Sequence, residues 1–130
     1  MVDNFITHDL IDTSLQIAQN HNKYIIIDWF PRVKEQAEFF TTKMEEMGRD
    51  FMIVHLELSK DIALERMMNR AGKEWRTDDT PETMQQRIDI FTHETLMVIK
   101  HFEEMGKVIT INANNSIENI QAELRAKLAL

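Results

Sequence analysis

Four arginines between positions 66 and 87 have the spacing of a phosphate-binding group. Arg66 and Arg70 are four residues apart, so on a helix both side chains project from the same face. Arg76 follows a stretch without helical periodicity, and Arg87 lies about two turns into the next predicted helix. Because a guanidinium presents paired donors that match phosphate oxygens, these residues indicate an anionic ligand. An equally open interpretation is pairing with neighbouring carboxylates, which are Asp61, Glu65, Glu74, Asp78 and Asp79.

A second group of candidate residues follows the apolar run Tyr24–Ile27. Asp28 ends this run, and Arg32 comes four residues later. Ligands of open α/β sheets bind at the carboxyl ends of strands, where Asp28 could position a metal-bound water and Arg32 could bind a phosphate. Taken alone, the residues favour a simpler interpretation, in which Asp28 caps the chain locally and Arg32 lies in solvent.

The hydrophobic pattern predicts the elements that must position these residues. The predicted helices are a stripe over Leu10–Ala18, Val33–Met47, a helix capped by Ser59, one from Thr80 to Met105 and one from Ser116 to Leu130. The predicted strands are Tyr24–Ile27, Phe51–Glu57 and Val108–Ile111. Strands that alternate with helices predict parallel β-α-β units with right-handed crossovers, and therefore an α/β fold.

The composition of the 130 residues excludes several classes of protein. A formal net charge of −7 disfavours a general nucleic-acid binder, and no apolar run is long enough to cross a membrane. The absence of cysteine excludes disulfides and thiolate metal sites, fits a reducing compartment and favours a cytoplasmic protein. The three glycines, Gly48, Gly72 and Gly106, leave no room for a Gly-rich phosphate-binding loop.

Several segments match a known pattern in the same order and with the same spacing. Asp28–Gln36 matches the pattern D-G-[FY]-P-R…Q, and Arg66–Asp79 matches R-x(3)-R…G-R-x-D-D. Thr83–Ile88 follows the pattern E-T-x-x-x-R-[LI]. Residues 104–117 are similar to a final strand, a base-contacting loop and a helix. Together they resemble the adenylate kinase family of nucleoside monophosphate kinases, in its short-lid form. The likeness covers nearly the whole chain.

This resemblance implies a three-layer α/β fold of the P-loop nucleoside-triphosphate hydrolase type. It also implies transfer of the γ-phosphoryl group of Mg²⁺-bound ATP to AMP or a related nucleoside monophosphate. By resemblance, Arg32 would hold the phosphate of the monophosphate and Gln36 would contact its base. Asp28 would orient water molecules around Mg²⁺.

The resemblance assigns the remaining arginines to the triphosphate side of the reaction. Arg66 and Ala113 would contact ATP, and residues 71–79 would form a short lid. The catalytic group that clamps the transferring phosphoryl would be Arg70, Arg76 and Arg87. Phosphoryl transfer needs in-line positioning and neutralisation of spread negative charge, which arginines supply.

The chain departs from the family in its glycines. The family begins with a strand and a G-x-x-G-x-G-K loop that cradles the triphosphate, and no segment here matches that loop. We therefore expect a single partial domain over residues 1–130 that is inactive alone. Trp29 and Trp75 also stand where the family has glycine, as does Asn4. Glycine at such sites commonly permits a positive φ or a close approach of ligand.

The unmatched first strand of the family lies between those expected here at Tyr24–Ile27 and Phe51–Glu57. Without it, two sheet edges must pair with each other, with another chain or with a further segment. We therefore expect either an additional N-terminal segment or self-association through an open sheet edge. The alternative function is a non-catalytic nucleotide-binding or protein-interaction module derived from the family.

Overall fold

A computed structural model describes residues 3–70 and 80–129. The chain divides into two units, Met1–Phe51 and Met52–Leu130. The expected lid at residues 71–79, which includes Trp75 and Arg76, lies outside the described residues. No helix within the described ranges is both long enough and apolar enough to cross a lipid bilayer.

The first unit consists of two packed helices and the segment that joins them. Helix α1 spans Asn4–Asn20, and helix α2 spans Lys34–Glu46. The helices contact each other through a core formed by Leu15, Phe40 and Met44. The predicted helices are both confirmed, although α1 begins earlier than its apolar stripe. The reason is that the Asp3 carboxylate caps it by accepting a hydrogen bond from the N–H of Phe5.

The segment Tyr24–Ile27 is not the strand that its sequence predicts. Within the described residues it belongs to no sheet. Ile25 and Ile27 pack against the core of the first unit, whereas Tyr24 is 100% exposed and Ile26 is 96% exposed. The expectation that both faces are covered is therefore wrong. β-Branched residues favour extended backbone, but a strand also needs a neighbour that completes its hydrogen bonds.

The second unit contains a parallel pair of strands. Strand β1 spans Ile53–Glu57 and strand β2 spans Val108–Asn112, with Ile53 opposite Val108 and Glu57 opposite Asn112. The described residues between the two strands form the α-helices α3 (Lys60–Arg70), α4 (Pro81–Ile90) and α5 (Leu96–Glu104). Helix α5 packs on both strands and buries Phe102. The predicted parallel α/β architecture is confirmed.

The helices of the second unit start where the sequence predicts. Thr80 and Thr83 form a capping box at the start of α4, with Pro81 at the first helical position. Ser59 caps α3, because its hydroxyl accepts from the N–H of Ile62 at 3.5 Å. Ser116 caps the last helix, α6, which spans Ile117–Leu128. Local capping chemistry therefore sets the helix starts.

The helix predicted from Thr80 to Met105 is interrupted. A π-helical turn over Phe91–Thr95 separates α4 from α5. The hydroxyl of Thr92 donates to the carbonyl of Ile88 at 2.8 Å, and Nδ1 of His93 lies 2.8 Å from the carbonyl of Asp89. Side chains that bond to carbonyls four residues earlier loosen the regular helical hydrogen bonding. The expectation of one continuous α-helix is therefore wrong at this turn.

Candidate functional site

Two candidate residues of the first unit, Asp28 and Arg32, lie between its extended segment and α2. Asp28 is exposed, and the Phe30–Pro31 peptide bond that follows is cis. The ring of Phe30 packs edge-on against Phe40, with 5.8 Å between ring centroids. Arg32 follows as a partly exposed residue. The core thus anchors the middle of this loop while both charged residues reach the surface.

Trp29 combines an unusual backbone with a contact to Arg32. Its φ of 67° lies in the left-handed region that L-residues other than asparagine and aspartate rarely adopt. The positive φ expected of a glycine position is therefore present, even though tryptophan occupies it. The Arg32 guanidinium carbon lies over the Trp29 ring, 4.6 Å from its centroid, which is within cation–π range. The indole remains 62% exposed.

Gln36 ties three parts of the first unit together. It is buried, at 8% exposure, on the first turn of α2. Its Oε1 accepts from the backbone N–H of Arg32 at 2.9 Å, and its Nε2 donates to Oδ1 of Asn4 at 2.9 Å. Asn4 in turn donates to Oε2 of Glu35 at 2.8 Å. This network fixes the orientation of the Gln36 amide, which keeps one further N–H and one further lone pair for hydrogen bonding.

Three of the four candidate arginines lie on two helices that contact each other. Arg66 and Arg70 are on α3, and Arg87 is in the last turn of α4. Arg70 and Arg87 are partly buried, whereas Arg66 is exposed. The predicted placement of these three residues on helices is confirmed. Arg76, the fourth arginine of the group, lies outside the described residues.

A turn after β2 contacts the start of α3 and the side chain of Arg66. Nη2 of Arg66 donates to the carbonyl of Asn115 at 3.1 Å, and the N–H of Ser59 donates to Oδ1 of Asn114 at 3.0 Å. Ala113 is buried, and its N–H donates to the carbonyl of Glu57 at 2.8 Å. The structure therefore brings Arg66 and the turn containing Ala113 together at the carboxyl end of the two-stranded sheet, where ligands of parallel sheets bind.

Carboxylates do not assemble into a metal centre in the described part of the chain. Residues 3–70 and 80–129 contain no group of three or more histidine, cysteine, aspartate or glutamate side chains that could hold a metal ion. Asp28 offers a single exposed carboxylate. Such a group suits Mg²⁺ held through water, because Mg²⁺ keeps several waters and commonly uses few protein ligands alongside substrate phosphates.

Comparison with known proteins identifies the family of this chain. The family model described as Adenylate kinase matches residues 1–107, and so includes the Asp28–Gln36 segment and Arg66, Arg70 and Arg87. The chain belongs to the adenylate kinase family. The resemblance expected from the ordered sequence segments is thereby confirmed.

Individual adenylate kinase relatives cover most of this chain. A UMP-CMP kinase from Lentinula edodes is 32% identical over 104 residues, which is 80% of this chain and 44% of that protein. Adenylate kinase 1 from a Nostoc species is 30% identical over 129 residues, or 98% of this chain and 67% of that protein. Adenylate kinase isoenzyme 1 from Caenorhabditis elegans is 27% identical over 92% of this chain and 56% of its own length. The chain thus spans between about half and two thirds of these relatives.

Two contacts made by the candidate residues of the first unit could not be predicted from the sequence. The bond between Gln36 and Asn4 joins residues 32 positions apart. The stacking of Arg32 on Trp29 depends on the left-handed backbone at Trp29. The sequence drew attention to Trp29 and Asn4 in one way, which was that the family pattern has glycine at both positions.

Proposed function

We propose that this chain supplies the monophosphate-binding and phosphoryl-clamping parts of a nucleoside monophosphate kinase. The reaction is transfer of the γ-phosphoryl group of Mg²⁺-bound ATP to AMP or a related monophosphate such as UMP or CMP. The observation that carries the proposal is the match of the adenylate kinase family model to residues 1–107. The relatives named adenylate kinase and UMP-CMP kinase support the same reaction class without choosing the base.

The residues proposed to bind the monophosphate are Arg32 and Gln36, both in the first unit. Arg32 binds the phosphate, because guanidinium groups match phosphate oxygens with paired donors. Gln36 contacts the base through the N–H and lone pair that its bonds to Arg32 and Asn4 leave over. One donor and one acceptor held in a fixed orientation suit the edge of a nucleobase.

The residues proposed to bind the triphosphate are Arg66 and those of the turn at Ala113. The proposed catalytic residues are Arg70, Arg76 and Arg87. Their chemistry is electrostatic, since phosphoryl transfer spreads negative charge over oxygens that positive groups must neutralise. Asp28 orients waters around the Mg²⁺ that accompanies ATP. When bound, Mg²⁺ supplies further neutralisation of the phosphate charge.

We further propose that the 130 residues alone turn over slowly. Three glycines do not provide a Gly-rich loop, and such loops hold the triphosphate through backbone N–H groups. The test is a coupled assay of ADP formation, with and without a polypeptide that carries a Gly-rich phosphate-binding loop. Restoration of turnover by that polypeptide is the expected result. Rapid turnover by the 130-residue chain alone, abolished by Arg87→Ala, would contradict this part of the proposal and support the kinase reaction itself.

Binding of AMP by the 130-residue chain, measured by calorimetry, tests the monophosphate site. Loss of a hydrogen bond to a charged group predicts that Arg32→Ala weakens binding by about tenfold to a hundredfold. Lys34→Ala is the matched control, because Lys34 is a nearby cation whose side chain is 88% exposed. Equal affinities of the Arg32→Ala variant and the unchanged chain would show that Arg32 does not bind the phosphate.

A second candidate function is a nucleotide-binding or protein-interaction module without catalysis. The exposed side chains of Tyr24 and Ile26 favour it, because large apolar groups at full exposure commonly mark contact surfaces. Sedimentation and calorimetry separate the two functions. A stable dimer that Ile26→Lys disrupts, and that has no affinity for AMP or ATP, would favour the module over the kinase.

A further inference from the structure

We propose that Asn4 is a positioning residue that fixes the side-chain amide of Gln36 for contact with the base of a nucleoside monophosphate. The inference rests on the proposed function, in which Gln36 contacts that base. It adds a role for an asparagine at a position where the family pattern has glycine. The base that fits carries an amino group beside a ring nitrogen that accepts a hydrogen bond, as adenine does.

The polar groups around Gln36 form a chain of hydrogen bonds whose two ends have fixed roles. At one end, Oε2 of Glu35 accepts from Nδ2 of Asn4 at 2.8 Å. At the other end, the backbone N–H of Arg32 donates to Oε1 of Gln36 at 2.9 Å. Nε2 of Gln36 donates to Oδ1 of Asn4 at 2.9 Å and joins the two halves. An ionised carboxylate only accepts and a backbone N–H only donates, so both amides between them have one satisfied orientation.

Asn4 opposes the reversed orientation of the Gln36 amide. A half turn of that amide sets its NH2 group against the Arg32 N–H and its oxygen against Oδ1 of Asn4, and both contacts are repulsive. Asn4 cannot turn to compensate, because its oxygen would then meet the Glu35 carboxylate. Gln36 is 8% exposed, so solvent offers little replacement for a lost partner. The Asn4 side chain therefore adds a second restraint to the one that Arg32 provides.

The orientation of the Gln36 amide matters because bases differ in the order of their donors and acceptors. Unstacked bases are recognised by hydrogen bonds to these edges. In adenine N1 accepts and the 6-amino group donates, whereas in hypoxanthine, the base of IMP, N1–H donates and O6 accepts. Within the described residues, Gln36 keeps one N–H and one lone pair beyond its bonds to Arg32 and Asn4. An amide held in one orientation matches one of these orders, and an amide that turns freely matches both.

The experiment uses AMP and IMP as a matched pair of probes, since they differ only at this edge of the base. Calorimetry gives both dissociation constants for the 130-residue chain and for Asn4→Gly, Asn4→Ala and Asn4→Asp. Asn4→Gly and Asn4→Ala remove the amide, whereas Asn4→Asp keeps an oxygen that accepts from Gln36. Gln16→Ala is the matched control, because Gln16 is an exposed amide on α1 that also donates to a carboxylate, Oδ2 of Asp12 at 2.8 Å.

The expected result is a change in the preference for AMP over IMP. The unchanged chain binds AMP more tightly than IMP by about tenfold, and Asn4→Gly and Asn4→Ala lower this ratio by about two- to tenfold. Asn4→Asp and Gln16→Ala retain the ratio. A purely structural role of Asn4 would weaken the binding of both nucleotides equally and leave the ratio unchanged. Thermal unfolding of each variant reports the loss of stability separately.

Failure of the inference differs from failure of the proposed function. Gln36→Glu separates them, because it keeps the acceptor for the Arg32 N–H and has no N–H of its own. If Gln36→Glu lowers the preference for AMP and neither Asn4→Gly nor Asn4→Ala does, the role of Asn4 is overturned while Gln36 still contacts the base. Equal binding of AMP and IMP by the unchanged chain, or tighter binding of IMP, also overturns the inference alone.

Two other outcomes overturn the proposed function, and the inference falls with it. One is that the unchanged chain binds neither nucleotide. The other is that Gln36→Glu leaves the ratio of the two dissociation constants unchanged, which would mean that Gln36 does not contact the base.

Discussion

The backbone N–H of Arg32 donates to Oε1 of Gln36 at 2.9 Å, across the first turn of α2. Val33, the N-cap residue of this helix, makes no side-chain capping bond. The Gln36 side chain therefore holds the chain that enters α2, and with it the backbone of the proposed phosphate-binding residue. The same buried amide of Gln36 therefore stabilises the first unit and fixes the backbone position of Arg32.

We predict that Gln36→Leu lowers the free energy of unfolding by about 1–3 kcal/mol, because it leaves the Arg32 N–H and the Asn4 amide without their partner. Asn4→Ala should cost less, since the bond between Gln36 and Arg32 survives. Urea unfolding followed by circular dichroism measures both changes. The double variant should lose less stability than the sum of the single variants, because the two residues share one hydrogen bond. Strict additivity would show that the network is not coupled.

At position 29 we predict that glycine gives a more stable protein than alanine, which reverses the usual order of stability. Trp29→Gly and Trp29→Ala both remove the ring, and they differ only by a Cβ atom at a φ of 67°. The left-handed backbone disfavours that Cβ by about 1–2 kcal/mol, so Trp29→Gly should be the more stable variant by this amount. Thermal unfolding of the two variants measures the difference. Greater stability of Trp29→Ala would mean that the backbone at position 29 is not left-handed.

The capping box of α4 gives a prediction for the helix that carries Arg87. Thr80→Ala removes the hydroxyl that accepts from the N–H of Thr83 at 3.3 Å, and we expect a loss of about 1 kcal/mol. Thr80→Ser keeps the hydroxyl and is the matched control. Hydrogen exchange should show faster exchange in the first turn of α4 for Thr80→Ala than for Thr80→Ser. Equal exchange in both variants would contradict a role for the cap.

A pH-dependent contribution to stability should come from Glu123 on α6. Lys127 forms a salt bridge with this carboxylate at 2.8 Å and also donates to the Thr110 carbonyl of β2 at 2.6 Å. The hydrogen bond from Lys127 holds the pKa of Glu123 below its ordinary value of 4.5. Because the folded pKa is lowered, the stabilisation is present above the unfolded pKa and is lost as the pH falls through the folded pKa.

We therefore expect acidification from about pH 6 to pH 3 to destabilise the unchanged chain more than the Glu123→Gln variant. Carbon-13 NMR titration of the Glu123 carboxyl measures its pKa directly. In Lys127→Met that pKa should return towards its ordinary value, because the donor is gone. A lowered pKa that persists in Lys127→Met would assign the effect to other groups.

Local sequence signals predict much of the second unit. Thr80 followed by Pro81 marks the start of α4, and Ser116 marks the start of α6, because caps act within one helical turn. The alternation of apolar strands with amphipathic helices predicts the parallel pairing of β1 and β2. The caps depend on residues within one helical turn, and the parallel pairing follows from the order of strands and helices along the chain. A single sequence carries both kinds of information.

Features that depend on distant partners could not be predicted in this way. The run Tyr24–Ile27 has the composition of a strand, but strand formation requires a neighbour that its composition does not specify. The bond between Gln36 and Asn4 joins residues 32 positions apart. The roles of Arg32 and Gln36 in binding a monophosphate remain predictions, because they depend on a ligand as well as on the fold.

The outward-facing side chains of Tyr24 and Ile26 also bear on how the protein behaves in concentrated solution. Segments of six or seven residues with high β-propensity, low net charge and no proline are the ones that stack into cross-β fibrils. The run Tyr24–Ile27 with its flanking Lys23 and Asp28 makes such a segment, because the two flanking charges cancel. Repulsion between molecules with a net charge of −7 opposes this stacking, and added salt screens that repulsion. We therefore expect the protein to aggregate more readily as the ionic strength rises, with the segment around Tyr24–Ile27 as the point of contact between molecules.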